Sequence, residues 1–235
     1  MMVDFYLQNN WKSKKRIREI WTFFVYTMPT AKYKKGLNAK SLYPATPKDD
    51  EEPEPEPQSS VVRENNVIYL YSEIDRDSIF KLITLLREAE EYCILTSLKT
   101  RVDEIPIYLH INSYGGCIHS AFAAIDTIQK CRVPVYSVIE GAAASAGTLI
   151  SVVCAKRYIR PNAYMLIHQL SSSVWGKMSE IEDEYKGLTE MMERITQLYM
   201  NHSKMRKKQL DKLLKHDLWL TPETALENGL VDELY

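Results

Sequence analysis

The chain has 235 residues, long enough for one sizeable domain with an appendage. Hydrophobic residues make up 45% and charged residues 26%, an ordinary globular balance, and a net charge of −1 argues against binding nucleic acid through overall charge. No apolar run approaches the roughly 20 residues needed to span a bilayer, and Cys93, Cys117, Cys131 and Cys154 lack C-x-x-C or metal spacing, so they read as small buried side chains in a reducing compartment.

The first quarter divides into two unlike parts. Residues 1–40 hold nine Lys and Arg against only Asp4 and Glu19. Within them, residues 16–28 can form a short helix with Ile17, Ile20, Trp21 and Phe24 on one face. The basic stretch before Ile20 resembles the start of a secretory signal, but Trp21, Thr22 and Tyr26 interrupt the apolar run and no A-x-A site follows. A cleavable pro-segment, an organelle address and a plain interaction arm all fit that stretch. Residues 49–56 carry six carboxylates in eight positions together with Pro53 and Pro55, a self-repelling pattern expected of a disordered, solvated linker. The expected division is therefore an arm and linker over 1–60 and a folded domain over 61–235.

In the folded part, residues 66–71 predict a strand, and residues 77–91 a helix with Ile79, Leu82, Leu85 and Leu86 on one face, capped by Asp75 or Asp77. Residues 105–111 predict a strand, 117–131 a helix and 133–139 a third strand. A small-residue helix starts near Ser145, and residues 158–159 and 164–167 predict short strands. This alternation argues for right-handed crossovers and a mainly parallel sheet. From Met178 to about Lys204 the pattern changes to one long helix, with Ile181, Tyr185, Leu188, Met192, Ile195 and Leu198 as its apolar stripe. At 1.5 Å per residue it would reach about 38 Å, long enough to project and pack against a second copy.

Four short motifs carry chemistry. Gly141-Ala-Ala-Ala-Ser145-Ala-Gly147 sets a serine among small neighbours at a predicted helix start, where free N–H groups favour negative charge. His168 ends an apolar run, and Asp217 follows a predicted helix and precedes Thr221-Pro222. Gly115-Gly116 offers backbone for close approach. Taken singly, each has a plainer explanation: tight helix packing for Ser145, a satisfied structural imidazole for His168, a turn cap for Asp217 and a strand-to-helix turn for the glycines. Together they supply a hydroxyl nucleophile, a base, a carboxylate to orient the base, and oxyanion donors in the N–H groups of Gly116 and Ala146.

Residues 67–235 resemble the ClpP family, the proteolytic subunit of Clp protease. The resemblance rests on Tyr108-Leu-His-Ile-Asn-Ser-Tyr-Gly-Gly116, on the motif around Ser145, on Ile167-His-Gln-Leu170, on Asp217-Leu-Trp-Leu-Thr-Pro-Glu-Thr-Ala225 and on Gly229-Leu-Val-Asp232. Their order and spacing argue against the crotonase-type acyl-CoA enzymes, which share the fold without the triad. The resemblance implies an α/β spiral core of ββα units with a protruding handle helix. It also implies an ATP-dependent, cytoplasmic serine endopeptidase with catalytic Ser145, His168 and Asp217, and no metal or other cofactor. Extended substrate would lie between Gly115-Gly116 and a segment including Ser171, Ser172 and Gly176. The implied partners are other copies of the chain in a heptameric ring or double ring, an AAA+ unfoldase, and unfolded protein substrates, with no nucleic acid or membrane.

The sequence differs from the family pattern at several positions. Tyr114 stands in place of Pro and Ala146 in place of Met, changes that leave both backbone donors. Leu170-Ser-Ser-Ser-Val-Trp-Gly176 replaces a glycine-rich substrate segment, and His216 replaces the Arg before the catalytic Asp. Residues 1–60 replace the family's axial segment, and no tail follows Tyr235, although both ends serve ATPase docking in the family. Such differences resemble phage- or virus-encoded members that mature head proteins. That is one alternative; a non-catalytic ClpP-like scaffold subunit is the other.

Overall fold

The computed structural model describes residues 61–235. The readings made above for residues 1–60, including the arm, the linker and the division at residue 60, lie outside the described residues.

The domain opens with a hairpin, β1 (Val61–Glu64) and β2 (Val67–Leu70), turned at Asn65, whose φ of 56° is one that Asn tolerates well. The predicted strand at 66–71 is β2. Its antiparallel partner, only four residues long, was not legible from periodicity. Helix α1 (Arg76–Thr100) is longer than the predicted 77–91, because Ala89 and Cys93 continue the buried face of Ile79, Leu82 and Leu86. Asp75 closes a capping box: its Oδ1 accepts from the Ser78 N–H at 2.8 Å, and its own N–H donates to Ser78 Oγ at 3.1 Å. The Ser78 N–H holds the Asp75 carboxyl below the usual carboxylate range. Asp75→Ala is therefore expected to cost about 1 kcal/mol in urea melts at neutral pH. This contribution is present above the ordinary Asp pKa. It is lost as pH falls through the lowered one, so the variant and the parent should converge in acid.

Strand β3 (Ile107–Ser113) buries Ile107, Leu109 and Ile111 on one face, and His110 on the other face is buried as well. Helix α2 (Ile118–Lys130) follows. Strand β4 (Val135–Ala144) runs five residues past the far end of the predicted 133–139 strand, through Gly141-Ala-Ala-Ala144, which is held extended by pairing with β3 and β6. Two extra residues of β4 enter between the pairs Ile111/Ile139 and Ser113/Ala143, forming a bulge around Gly141, whose φ is 68°. The bulge divides the strand's work. Residues 136–139 pair with β5 (Lys156–Ile159), and residues 142–144 pair with β6 (Tyr164–Leu166).

Helix α3 (Ala146–Val152) begins immediately after Ser145 and is wholly buried. Helix α4 (Met178–His202) matches the predicted long helix, but only its second half packs. Ile195, Thr196 and Tyr199 are buried, whereas residues 178–187 are all exposed. The chain ends with α5 (Lys207–Leu214), β7 (Trp219–Leu220), α6 (Pro222–Glu227) and β8 (Glu233–Leu234). The main strand order is β1-β2-β3-β4-β5-β8, with β6 on β4 and β7 on β6. Apart from the antiparallel β1–β2 and β6–β7 pairs, the sheet is parallel, as the strand–helix alternation implies. The fold is α/β. Cysteine placement differs from expectation at one position: Cys93 and Cys154 are buried and Cys131 is half-buried, but Cys117 is exposed. Among the described residues, no helix is long and apolar enough to cross a membrane.

Candidate active site

Three neighbouring parallel strands end at one place. The ends of β3, β4 and β6 lead into Gly115-Gly116, Ser145 and His168 respectively, and the carboxyl ends of parallel strands are where α/β sheets bind ligands. Antiparallel β7 runs back beside β6 with Leu166 opposite Trp219. Continued two residues beyond the ladder, that register sets His168 opposite Asp217. His168 Nδ1 lies 3.6 Å from Asp217 Oδ1. The imidazole is mostly buried and the carboxylate 79% exposed.

Ser145 joins β4 to α3 with φ 52° and ψ −122°, a left-handed conformation that costs a non-glycine residue. Bonds on both sides hold it. The Ser145 N–H donates to the Leu166 carbonyl at 2.8 Å, and its carbonyl accepts from the Thr148 N–H at 3.0 Å and from Thr148 Oγ1 at 2.6 Å. Thr148 Oγ1 in turn lies 2.5 Å from the Tyr199 hydroxyl on α4. Since Thr148 spends its proton on Ser145, Tyr199 donates to Thr148, and burial pushes the Tyr199 phenol far above its ordinary value so that it stays protonated. This chain was not visible in the sequence, although Tyr199 lies on the predicted helix face beside Ile195. Thr148→Val should leave the buried Tyr199 hydroxyl unpaired, costing about 1–3 kcal/mol in denaturant melts.

Gly115 and Gly116 are required by contact. A Cβ on Gly115 would fall 2.7 Å from Ser145 Cβ, and one on Gly116 would fall 2.3 Å from the Ile74 carbonyl oxygen. The strand edge before α1 grips this segment: the Ile74 N–H donates to the Gly115 carbonyl at 2.8 Å, and the Cys117 N–H donates to the Ile74 carbonyl at 2.6 Å. Among the described residues the intervening Gly116 N–H makes no hydrogen bond. The Ala146 N–H opens α3 and has no preceding helical carbonyl to bond.

A cavity of about 70 Å³ joins these groups, with Gly116, Ser145, Ala146 and His168 on its wall. Ile118, Leu149, Leu170 and Ile195 add apolar lining; the sequence marks Ile195 only as part of the long helix's stripe and Leu170 only as part of the substrate segment, and does not single out Ile118 or Leu149. Ser171 lines the cavity, whereas Ser172 and Gly176 are exposed in the stretch before α4 and do not. Gly115 touches Ser145 from the adjacent strand without lining this cavity. Among the described residues, no group of three His, Cys, Asp or Glu side chains could hold a metal ion.

An α/β sheet that gathers a strained serine, an imidazole and unpaired backbone N–H groups at its carboxyl edge has the architecture of a hydrolase. The family model described as Clp protease matches residues 58–235. The chain belongs to the Clp protease family, and through that membership it is a ClpP-like serine peptidase.

Proposed function

We propose that this protein is a serine endopeptidase that cleaves unfolded or flexible polypeptides through an acyl-enzyme, with Ser145 as nucleophile, His168 as base and Asp217 as the group that orients it. The observation that carries this reading is the meeting of Ser145, His168 and the N–H groups of Gly116 and Ala146 on one small cavity, with Asp217 behind the imidazole.

In the first half-reaction, Ser145 Oγ bonds to the scissile carbonyl carbon while His168 Nε2, the nitrogen turned from Asp217, takes the hydroxyl proton. The carbonyl oxygen becomes an oxyanion and accepts from the Gly116 and Ala146 N–H groups. His168 then gives its proton to the leaving nitrogen as the C–N bond breaks, leaving an ester on Ser145. In the second half-reaction, water adds to the ester carbon as His168 takes a proton from it. The C–Oγ bond breaks and the proton returns to Ser145. The apolar far wall of the cavity suits an uncharged side chain on the residue before the scissile bond.

Extended substrate would lie along Gly115-Gly116 with the Ser171–Gly176 stretch on its other side, in the manner of an added strand. The family typically forms oligomeric rings. The exposed first half of α4, with Met178 and Tyr185 at 70% and 72% exposure, supports a ring-building role for this helix. A heptameric ring or double ring served by an AAA+ unfoldase in the cytoplasm is the assembly this reading implies.

The test is labelling with a fluorophosphonate followed by peptide mapping. The adduct should fall on Ser145 and be absent from Ser145→Ala. Folded, oligomeric protein that never labels would instead point to a scaffold subunit.

A further inference from the structure

Rows of side chains across the sheet reveal a contact that the triad does not explain. Pairing sets Ser113 beside Ala143, Ala143 beside Met165, and Met165 beside Leu220, a row buried in the core. One residue further along, the row reads Tyr114, Ala144, Leu166, Trp219 and faces the other way. Two residues further along β6 and β7, continued alternation sets His168 and Asp217 on the same side as Leu166 and Trp219. Trp219 therefore stands one side-chain repeat from the Asp217 carboxylate. The Tyr114 and Trp219 rings meet edge to face, with centroids 6.2 Å apart and planes at 90°, although two strands separate their backbones. They bridge over Ala144, which is only 5% exposed while Tyr114 and Trp219 are 75% and 44% exposed.

Tyr114 is largely exposed, and Trp219 is half-buried. Their contact joins the strand that carries Gly115-Gly116 to the strand that carries Asp217. That second strand needs a tie. β7 has two residues, pairs only with β6, and leads directly from Asp217, whose carboxylate is 3.6 Å from His168, outside ordinary hydrogen-bond range. We infer that Tyr114 and Trp219 form a positioning pair that holds the start of β7, and with it Asp217, within reach of His168. The inference rests on the triad reading above. Tyr114 also borders the groove along Gly115-Gly116, so the action of the pair through Asp217 is the part that an Asp217→Asn background isolates.

The experiment is a mutant cycle on the fluorophosphonate acylation rate of the full chain. Trp219→Ala and Tyr114→Ala should each slow acylation about 10- to 100-fold, the scale of a roughly 1 Å misplacement, with kcat for a peptide substrate falling more than KM rises. Trp219→Phe and Tyr114→Phe should restore most of the rate by keeping a ring. In an Asp217→Asn background, Trp219→Ala should cost no further rate, because the group it positions is already gone. A Trp219→Ala effect that multiplies with Asp217→Asn, or an alanine variant at either ring with the parental rate, overturns the inference. Tyr114→Ala alters an exposed side chain and, read in the same Asp217→Asn background, where it too should cost no further rate, keeps the test decisive if Trp219→Ala does not fold. If Asp217→Asn alone leaves the rate unchanged, the triad reading itself fails, which is a different outcome.

Discussion

His168→Ala should abolish measurable peptide hydrolysis, a fall on the order of 10⁵–10⁶ in kcat, while circular dichroism and oligomeric state stay parental. The size follows from the role. Without the imidazole, Ser145 must lose its proton to water, and the leaving nitrogen must depart unprotonated. Asp217→Asn should cost less, on the order of 10³–10⁴, because the base survives but loses its tautomer preference and its counter-charge. The double variant should be no slower than His168→Ala alone, since a carboxylate with no imidazole to orient contributes nothing. Stopped assays with a fluorogenic peptide, corrected by active-site titration, read all three rates. Multiplicative losses would mean that the two residues do not act as one unit.

Gly116→Ala should be the most damaging substitution of a non-titrating residue. The new methyl would sit 2.3 Å from the Ile74 carbonyl oxygen, and φ is 143°, a conformation that L side chains rarely adopt. Backbone on both sides is fixed by the Ile74 bonds, so neither partner can yield cheaply. A loss of about 3–5 kcal/mol, or failure to fold, is expected. Where protein is recovered, acylation should fall about 10²–10³-fold as an oxyanion donor shifts. Gly187→Ala is the control. It lies on the exposed half of α4 with nothing within 4 Å of its added methyl, and should gain about 0.5–1 kcal/mol from helix propensity. Equal effects at the two glycines in urea melts would refute the contact argument.

Much of this architecture could be read in the residues themselves. Strand β3 and the packed second half of helix α4 followed from apolar spacing that the core imposes, whereas Ile181 and Tyr185 carry the same stripe into the exposed first half. The far end of β4 escaped because Gly141-Ala-Ala-Ala144 has no β-branched or aromatic side chain, and its extended form is imposed by neighbours on both edges. β7 and β8 escaped because two residues carry no period at all. At the site, Ser145, His168, Gly116 and Ala146 were visible as motifs, and they line one cavity. The apolar wall of Leu149 and Ile195, the Thr148–Tyr199 chain and the Tyr114–Trp219 contact were hidden. Each joins positions dozens of residues apart through packing that no local pattern encodes.

The openness of Asp217 has a consequence for the triad proposed above. A carboxylate bathed in bulk water feels its neighbour through a high dielectric, and mobile ions damp what remains. Driving solvent away from that turn would strengthen its pull on the imidazole about fourfold, with no atom of the triad displaced. If the proposed triad operates, turnover should rise with any surface that shuts water out of that turn. Ionic strength should blunt turnover most when that turn is bare and least when it is covered.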